Sequence, residues 1–218
     1  MEKPKIIRET EDYLIVWKPA GMASETAKVT EMDLVTWLRN ERKRKGEKPE
    51  IHLIERLDQP VEGLLLAAKT GKAAALLSDC QRKGLLQKTY LALVSDPGEG
   101  TKDPLPKRGT FVDFIKRNPK NRMAEITKEK DPAAKKAILH YSIREASERS
   151  CLVEIRLVTG RFHQIRLQFS SRGWPIVGDR RYGGRESDCL HLTSYRLTFP
   201  WKGEVVSEEI LPAWLLEK

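Results

Sequence analysis

The sequence has few cysteines and no long apolar run, and each of these absences excludes a class of protein. Only three cysteines occur in 218 residues, and Cys80, Cys151 and Cys189 lie far apart. This usage argues against a disulfide framework or a zinc site and is typical of a reducing cytoplasm. No stretch approaches the ~20 apolar residues that a membrane span needs, and the charged residues 1–12 do not resemble a signal peptide. We therefore expect a cytoplasmic protein with no membrane partner.

The sequence also lacks the motifs of several enzyme classes. It contains no glycine-rich phosphate loop, no His-Glu-x-x-His pair and no serine nucleophile elbow. Its four histidines are scattered, and scattered histidines are more often structural than catalytic. A metal-dependent hydrolase would need a ligand cluster that the sequence does not offer. We therefore predict a carboxylate as the reactive group.

Positive charge is in excess. Forty Lys and Arg residues stand against thirty-one Asp and Glu residues, which gives a formal net charge of +9 at pH 7. This balance favours an anionic partner, and nucleic acid is the usual one for a basic chain. The alternative is a basic protein that has no polyanionic partner.

Strand patterns outnumber helix patterns along the chain. Two helices are expected early, Asp33 to Arg44 and Thr70 to Lys83, each with a residue at its start that can cap it. A third is expected over His163 to Ser171, with Arg166 at the edge of its apolar face. Strands are expected at residues 6–7, 13–17, 63–68, 86–94, 110–115, 122–127, 136–144, 151–157 and 190–199, with a loop over 95–108 and a short helix or tail over 210–216.

These elements do not alternate regularly between strand and helix. Such an order predicts an α+β fold with a mixed, mostly antiparallel central sheet flanked by helices and loops. The 95–108 segment is short and strand patterns resume on both sides of it. We therefore expect a loop there and not a domain boundary, and a single domain over residues 1–218.

Asp58 differs from the other acidic residues in its surroundings. It lies in Arg56-Leu57-Asp58, directly before the apolar run from Leu64 to Ala68. A carboxylate close to a guanidinium at the start of a buried strand is costly, and such groups are often functional.

Several ordered motifs resemble those of the RluA-type pseudouridine synthase family. The resemblance covers about residues 10 to 200, and the chain is similar to the compact form of the family that has only the catalytic domain. The resemblance therefore implies a single catalytic domain over residues 1–218 with no separate RNA-binding accessory domain. The motifs are Arg56-Leu57-Asp58, Gly63 to Thr70, Lys88 to Val94, Thr159 to Arg166 and Gly178 to Gly183, with Lys18 to Gly21 and Leu190 to Leu192 at the two ends.

The resemblance implies isomerisation of uridine to pseudouridine in ribosomal or transfer RNA, without cofactor, metal or obligatory protein partner, by a monomer. Asp58 matches the essential aspartate, which acts as nucleophile or as base. Tyr90 matches the tyrosine that stacks on the uracil, and Arg166 the basic residue that pairs with the aspartate. Arg56 matches the arginine that enters the RNA helix when the uridine flips out. Arg161 and Lys88 are further candidate RNA-binding residues.

Two alternatives stay open at this point. Asp58 and Arg166 could form a purely structural ion pair. The family usually has a histidine where this chain has Glu55, and an additional carboxylate there could raise the pKa of Asp58 or repel phosphate. Glu55 therefore keeps open a second function, that of a catalytically silent RNA-binding or RNA-folding protein on the same scaffold.

Overall fold

The computed structural model describes residues 2–26, 30–95 and 104–216. The chain divides into two compact units, the first formed by residues 1–88 and 193–218 and the second by residues 89–192. The expectation of one domain over residues 1–218 stays a prediction.

In chain order the elements are β1 (Lys5–Glu9), β2 (Tyr13–Lys18), α1 (Leu34–Arg44), β3 (His52–Leu53), β4 (Glu62–Ala68), α2 (Gly71–Arg82), β5 (Gln87–Ser95), β6 (Arg108–Asn118), β7 (Met123–Thr127), β8 (Lys135–Ala146), β9 (Ser150–Leu157), α3 (Gln164–Ser170), β10 (Leu192–Trp201), β11 (Glu204–Glu209) and α4 (Ala213–Leu216).

The first unit is built on β4. This strand pairs antiparallel with β2 and with β3, and parallel with β10. The outer strands β1 and β11 pair antiparallel with β2 and β10, respectively. Every residue of β2 is buried, as are the last six residues of β4. Strands that are buried on both faces read as continuous apolar runs, which explains the sequence from Leu64 to Ala68.

One face of these strands forms the core of the first unit. Because side chains alternate along a strand, every second residue of β2 and β4 points to this core. Residues of α2 and β10 complete it. Its buried members are Tyr13, Ile15, Trp17, Ile54, Leu64, Leu66, Ala68, Ala73, Leu77, Leu197, Phe199 and Val206.

Both early helices begin where their caps were predicted. The Asp33 carboxylate accepts the Thr36 N–H at 2.7 Å, and the Thr70 hydroxyl accepts the Ala73 N–H at 3.2 Å. These bonds satisfy amide groups that the first turn of a helix leaves unpaired. Gly84 follows α2 with a φ of 70°, as expected for a glycine that ends a helix.

The second unit is an antiparallel sheet with one helix packed against it. Its strands are ordered β5-β9-β8-β6-β7, and each neighbouring pair is antiparallel. The helix α3 contacts β6 and β7, and Phe169 of α3 packs against the rings of Phe111 and Tyr141 at 5.1 and 5.7 Å. Together the two units confirm the predicted α+β fold with a mixed, mostly antiparallel sheet.

Two details differ from the sequence-based predictions. The short strand β3 and the strand β11 were not predicted. Arg166 does not lie at the edge of an apolar face, because all residues from Gln164 to Phe169 are buried. Of the predicted 95–108 loop, residues 96–103 lie outside the described part of the chain. Among the described residues, no helix combines the length and the apolarity that crossing a bilayer requires.

Candidate active site

Asp58 lies in the loop between β3 and β4, and this loop is held from both sides. The Ser24 hydroxyl donates to the Leu57 carbonyl at 2.8 Å and accepts the Leu57 N–H at 3.1 Å. The Val61 N–H closes a turn by donating to the Asp58 carbonyl at 3.0 Å. Leu57 is buried, Arg56 is exposed and Asp58 is half-buried. The Leu57 anchor therefore fixes the backbone between a solvent-facing guanidinium and a partly shielded carboxylate.

A fully buried lysine lies near Asp58. The Lys18 ammonium, which has no exposed surface, donates to the carbonyls of Pro19, Met22 and Gln59 at 3.0, 2.8 and 3.2 Å. Burial lowers the pKa of Lys18 to about 7, against the opposing influence of the Asp58 and Glu62 carboxylates. When it is protonated, Lys18 favours the ionised form of Asp58, because an opposite charge stabilises a carboxylate.

Glu55, which stands where histidine is usual, does not lie on the surface. Its side chain is 6% exposed, and one carboxylate oxygen accepts the Leu66 N–H at 3.2 Å. The same oxygen is 3.7 Å from the ammonium of Lys88, whose side chain is 11% exposed. Burial raises the pKa of Glu55, and Lys88 acts in the opposite direction. A buried carboxylate facing a lysine is poorly placed to repel phosphate.

The same geometry revises the expectation for Lys88. That residue was predicted to bind RNA, but its ammonium faces Glu55 and is largely shielded from solvent. A cation in this position compensates a buried carboxylate, which would be costly without a partner. Lys88 is therefore better placed to support the loop before Asp58 than to contact a phosphate.

Two residues at the start of β4 join this strand to β10. The Glu62 carboxylate accepts the Thr193 hydroxyl at 3.0 Å, and burial raises the pKa of Glu62. Gly63 has a φ of 127°, and a Cβ atom at this position would lie 2.4 Å from the Ser194 carbonyl oxygen. Only glycine fits here, because other residues would be strained and would clash with the β10 backbone.

Tyr90 lies in the second unit, on β5 as predicted. It is 5% exposed and is aligned with Ile155 of the antiparallel strand β9. The neighbouring positions from Thr89 to Ala92 are also buried. The ring is therefore carried by a rigid strand and not by a loop, and a strand holds a side chain in a more precise position than a loop does.

Arg166 lies on α3 and is tightly oriented. Its Nε and Nη2 atoms donate to the two carboxylate oxygens of Asp179 at 2.7 and 2.8 Å, and both side chains are buried. Its guanidinium carbon also lies 5.1 Å from the centre of the Tyr182 ring. Such a two-point ion pair fixes the plane of a guanidinium. In the sequence Asp179 occurs only within the Gly178 to Gly183 motif, and no sequence pattern links it to Arg166, thirteen residues away.

Polar contacts shape the turn before α3. The Gln164 side-chain oxygen accepts the Thr159 hydroxyl at 2.8 Å and the Arg161 N–H at 3.0 Å, while its nitrogen donates to the Ile138 carbonyl. His163 has a φ of 52°. Arg161 is exposed, and its Nε donates to the Lys136 carbonyl at 3.0 Å. Gln164 is therefore a structural residue, whereas the rest of the Arg161 guanidinium faces solvent.

Comparison with known proteins identifies the family. Residues 12–171 match the model of the family described as RNA pseudouridylate synthase. This range covers well over half of the chain and contains Asp58, Tyr90 and Arg166. The chain belongs to the RNA pseudouridylate synthase family. The matched range ends before Asp179, the partner of Arg166 in this pseudouridylate synthase family member.

Curated relatives carry the same family name. An uncharacterized RNA pseudouridine synthase, YhcT of Bacillus subtilis, is 32% identical over 216 residues, which cover 95% of this chain and 68% of the relative. The ribosomal large subunit pseudouridine synthase D of Xylella fastidiosa is 32% identical over 180 residues, 82% of this chain and 51% of the relative. This pseudouridylate synthase chain thus spans between about half and about two-thirds of these relatives.

A solved structure supports the fold. The human RNA pseudouridylate synthase domain containing 1 superposes with a TM-score of 0.78, covering 99% of this chain and 86% of the human one. The two sequences are 24% identical. The superposition shows that this chain has the same fold as the human protein.

Proposed function

We propose that the chain isomerises specific uridines in RNA to pseudouridine. In this reaction the bond between N1 of uracil and C1′ of ribose breaks, the base rotates, and a bond forms between C5 and C1′. The C5 proton leaves and N1 gains a proton, so the product is an isomer of the substrate. The observation that carries the proposal is the anchored, half-buried Asp58 beside Lys18, within the range that matches the family.

Asp58 is the group that we assign to the ribose carbon, as nucleophile or as base. Both roles require the ionised carboxylate. The ammonium of Lys18 favours that form, and its three carbonyl acceptors hold it in place. The Ser24 contacts to Leu57 limit the movement of the backbone before Asp58, which supports a fixed direction of attack.

Tyr90 and Arg166 have distinct proposed roles. Tyr90 stacks on the uracil and assists removal of the C5 proton. Its buried position on β5 supports a fixed ring plane. Arg166 provides positive charge for the reactive carboxylate, and its pairing with Asp179 supports a preset orientation of the guanidinium.

Base flipping is part of the proposal. A uridine within a helix must leave the stack before the enzyme can reach its glycosidic bond, at a cost of a few kcal/mol. Arg56 is exposed on the loop that carries Asp58, and we assign it to the space that the flipped base leaves. Arg161 is the second proposed RNA contact.

Ribosomal or transfer RNA is the proposed substrate. One relative is named for the ribosomal large subunit, which favours ribosomal RNA. Action as a monomer and a cytoplasmic location stay predictions. The silent RNA-binding alternative rested on Glu55, and the burial of Glu55 against Lys88 leaves it with less support.

Tritium release from RNA that contains [5-³H]uridine tests this function. Asp58→Asn keeps the size of the side chain but removes the ionised carboxylate, and we expect release to fall at least about a thousandfold, to background. Asp79→Asn, on the exposed end of α2, is the matched control and should keep wild-type turnover. Wild-type turnover by Asp58→Asn contradicts the assignment. RNA binding without release by the wild-type chain would support the silent alternative.

A further inference from the structure

Four exposed arginines and an exposed aromatic ring lie on adjoining segments of the second unit. The Phe162 patch consists of Phe162 with Arg117, Arg122, Arg161 and Arg181, and all five residues are exposed. They come from β6, the β6–β7 turn, the turn before α3 and the loop after it. None of these residues is used for the chemistry proposed above, although Arg161 is already a candidate RNA contact.

The Phe162 ring is held in place but reaches solvent. It stacks on the buried His163 ring with a centroid distance of 3.7 Å and an interplanar angle of 22°. The guanidinium carbon of Arg117 lies 4.8 Å from the Phe162 centroid. With 37% of its surface exposed, Phe162 forms with Arg117 a cation–π pair at the surface.

Strand register and the contacts of Tyr182 bring together the segments that carry these residues. Arg117 is aligned with Ala124 across the β6–β7 hairpin, whose Ala124 N–H donates to the Tyr182 hydroxyl at 2.7 Å. That hydroxyl also lies 2.9 Å from Nδ1 of His163. Arg181, next to Tyr182, donates to the Arg122 carbonyl at 3.4 Å. Tyr182 therefore links the hairpin, the loop and the turn that carry the patch.

The positive charge of the patch is not neutralised locally. Among the described residues, no carboxylate pairs with Arg117, Arg122, Arg161 or Arg181. By contrast, other cations of the same unit do have carboxylate partners, as the Lys116–Asp131 and Arg172–Asp113 pairs show.

His163 does not add to this charge. Burial, together with the nearby positive charges of Arg166, Arg181 and Arg117, lowers the pKa of His163 to about 3. The ring is therefore neutral near pH 7, and the charge of the patch comes from the arginines alone. Because the arginine side chain stays ionised under all ordinary conditions, this charge does not vary with pH in the physiological range.

We propose that the Phe162 patch binds an unpaired nucleotide of an RNA strand. The nucleobase stacks on the Phe162–Arg117 pair, and Arg122, Arg161 and Arg181 contact the phosphates on either side. Exposed aromatic rings and guanidinium planes are the usual platforms for unpaired bases, and stacking tolerates any base. The choice of RNA as partner rests on the proposed function, but the binding itself requires no isomerisation.

Equilibrium binding tests the patch separately from catalysis. The probe is a fluorescein-labelled 12-nucleotide oligouridine, titrated with the full chain and followed by fluorescence anisotropy at several salt concentrations. Phe162→Ala should weaken binding roughly 5- to 150-fold, the range expected for loss of one stacked base, while Phe162→Tyr should bind like the wild type. Far-UV circular dichroism and thermal melting confirm that each variant is folded.

A charge variant gives an independent measurement. Arg122→Gln combined with Arg181→Gln removes two of the proposed phosphate contacts and should reduce the slope of log affinity against log salt by about 1.4, or ~0.7 for each phosphate contact on a single strand. Arg149→Gln is the matched control, because this exposed arginine lies in the β8–β9 turn, beyond the end of β8 that is remote from the β6–β7 turn. Arg149→Gln should change neither the slope of log affinity against log salt nor the affinity for the oligonucleotide.

The outcomes separate this inference from the proposed function. Weaker binding by Phe162→Ala supports the patch even if no tritium is released from any RNA. Wild-type affinity in folded Phe162→Ala, an unchanged salt slope in the double variant, or failure of the wild-type chain to bind the oligonucleotide would overturn the patch. None of these three results would refute tritium release that depends on Asp58.

Discussion

At the scale of single residues, Lys18 and Asp179 explain how the proposed catalytic groups are held. Lys18 is buried near Asp58 with three carbonyl acceptors, and Asp179 forms a two-point ion pair with Arg166. In the sequence, Lys18 belongs only to the Lys18 to Gly21 motif, and its burial could not be predicted, since lysine is rarely buried. The position of Asp58 before a buried strand could be predicted, but contacts between residues distant in sequence could not.

The buried lysine predicts a pH dependence of stability. The pKa of Lys18 is about 7 in the folded chain and ~10.4 when unfolded. Between these values the unfolded chain binds more protons, so the contribution of Lys18 to folding stability increases with pH. Relative to Lys18→Met, the wild type should gain on the order of a few kcal/mol between pH 7 and pH 10. Urea unfolding across this range measures the difference, and a constant difference contradicts the lowered pKa.

At the scale of elements, the strand β4 holds the Asp58 loop against β10. The contact depends on Gly63, whose backbone leaves no room for a side chain next to Ser194. The residues of β4 were predicted from their apolar run, and α1 and α2 from their caps and apolar spacing. Which strands pair with β4 could not be predicted, because a continuous apolar run does not define a partner or a direction.

Gly63→Ala should destabilise the chain by at least about 2 kcal/mol, because it combines backbone strain with overlap on a neighbouring strand. Gly46 provides the control. It also has a positive φ, of 72°, but has open space around its Cα, so Gly46→Ala should cost only the ~1–2 kcal/mol of the strained conformation. Urea unfolding midpoints compare the two. If both variants lose the same unfolding free energy, a side chain at position 63 does not clash with Ser194.

The missed strand β11 shows where local patterns fail. Glu204 to Glu209 contains two adjacent valines among polar residues, and only Val206 is buried, while Val205 is 75% exposed. The turn before it, Lys202 and Gly203, has two positive φ values of 49° and 86°. Two residues with positive φ are typical of a tight β-hairpin turn. The dipeptide Lys-Gly indicates such a turn less strongly than Asn-Gly does, so the hairpin was not predicted.

At the scale of the whole molecule, the chain has a net charge of +9, and its positive side chains differ in whether a carboxylate lies beside them. Many surface cations pair with carboxylates, whereas the four arginines of the Phe162 patch have no such partner among the described residues. Composition predicted an anionic partner but could not locate its surface, because pairing between charges depends on strand register and loop packing. Phe162 itself gave no signal in the sequence, since an isolated aromatic residue usually belongs to the core.

The central claim is that this chain makes pseudouridine in RNA through Asp58. The most direct test maps pseudouridines in all cellular RNA from cells with and without the gene, and after restoring either the wild-type chain or Asp58→Asn. We predict that at least one site in ribosomal or transfer RNA is lost with the gene, returns with the wild type and stays absent with Asp58→Asn. An unchanged map, or a site restored by Asp58→Asn, would contradict the account.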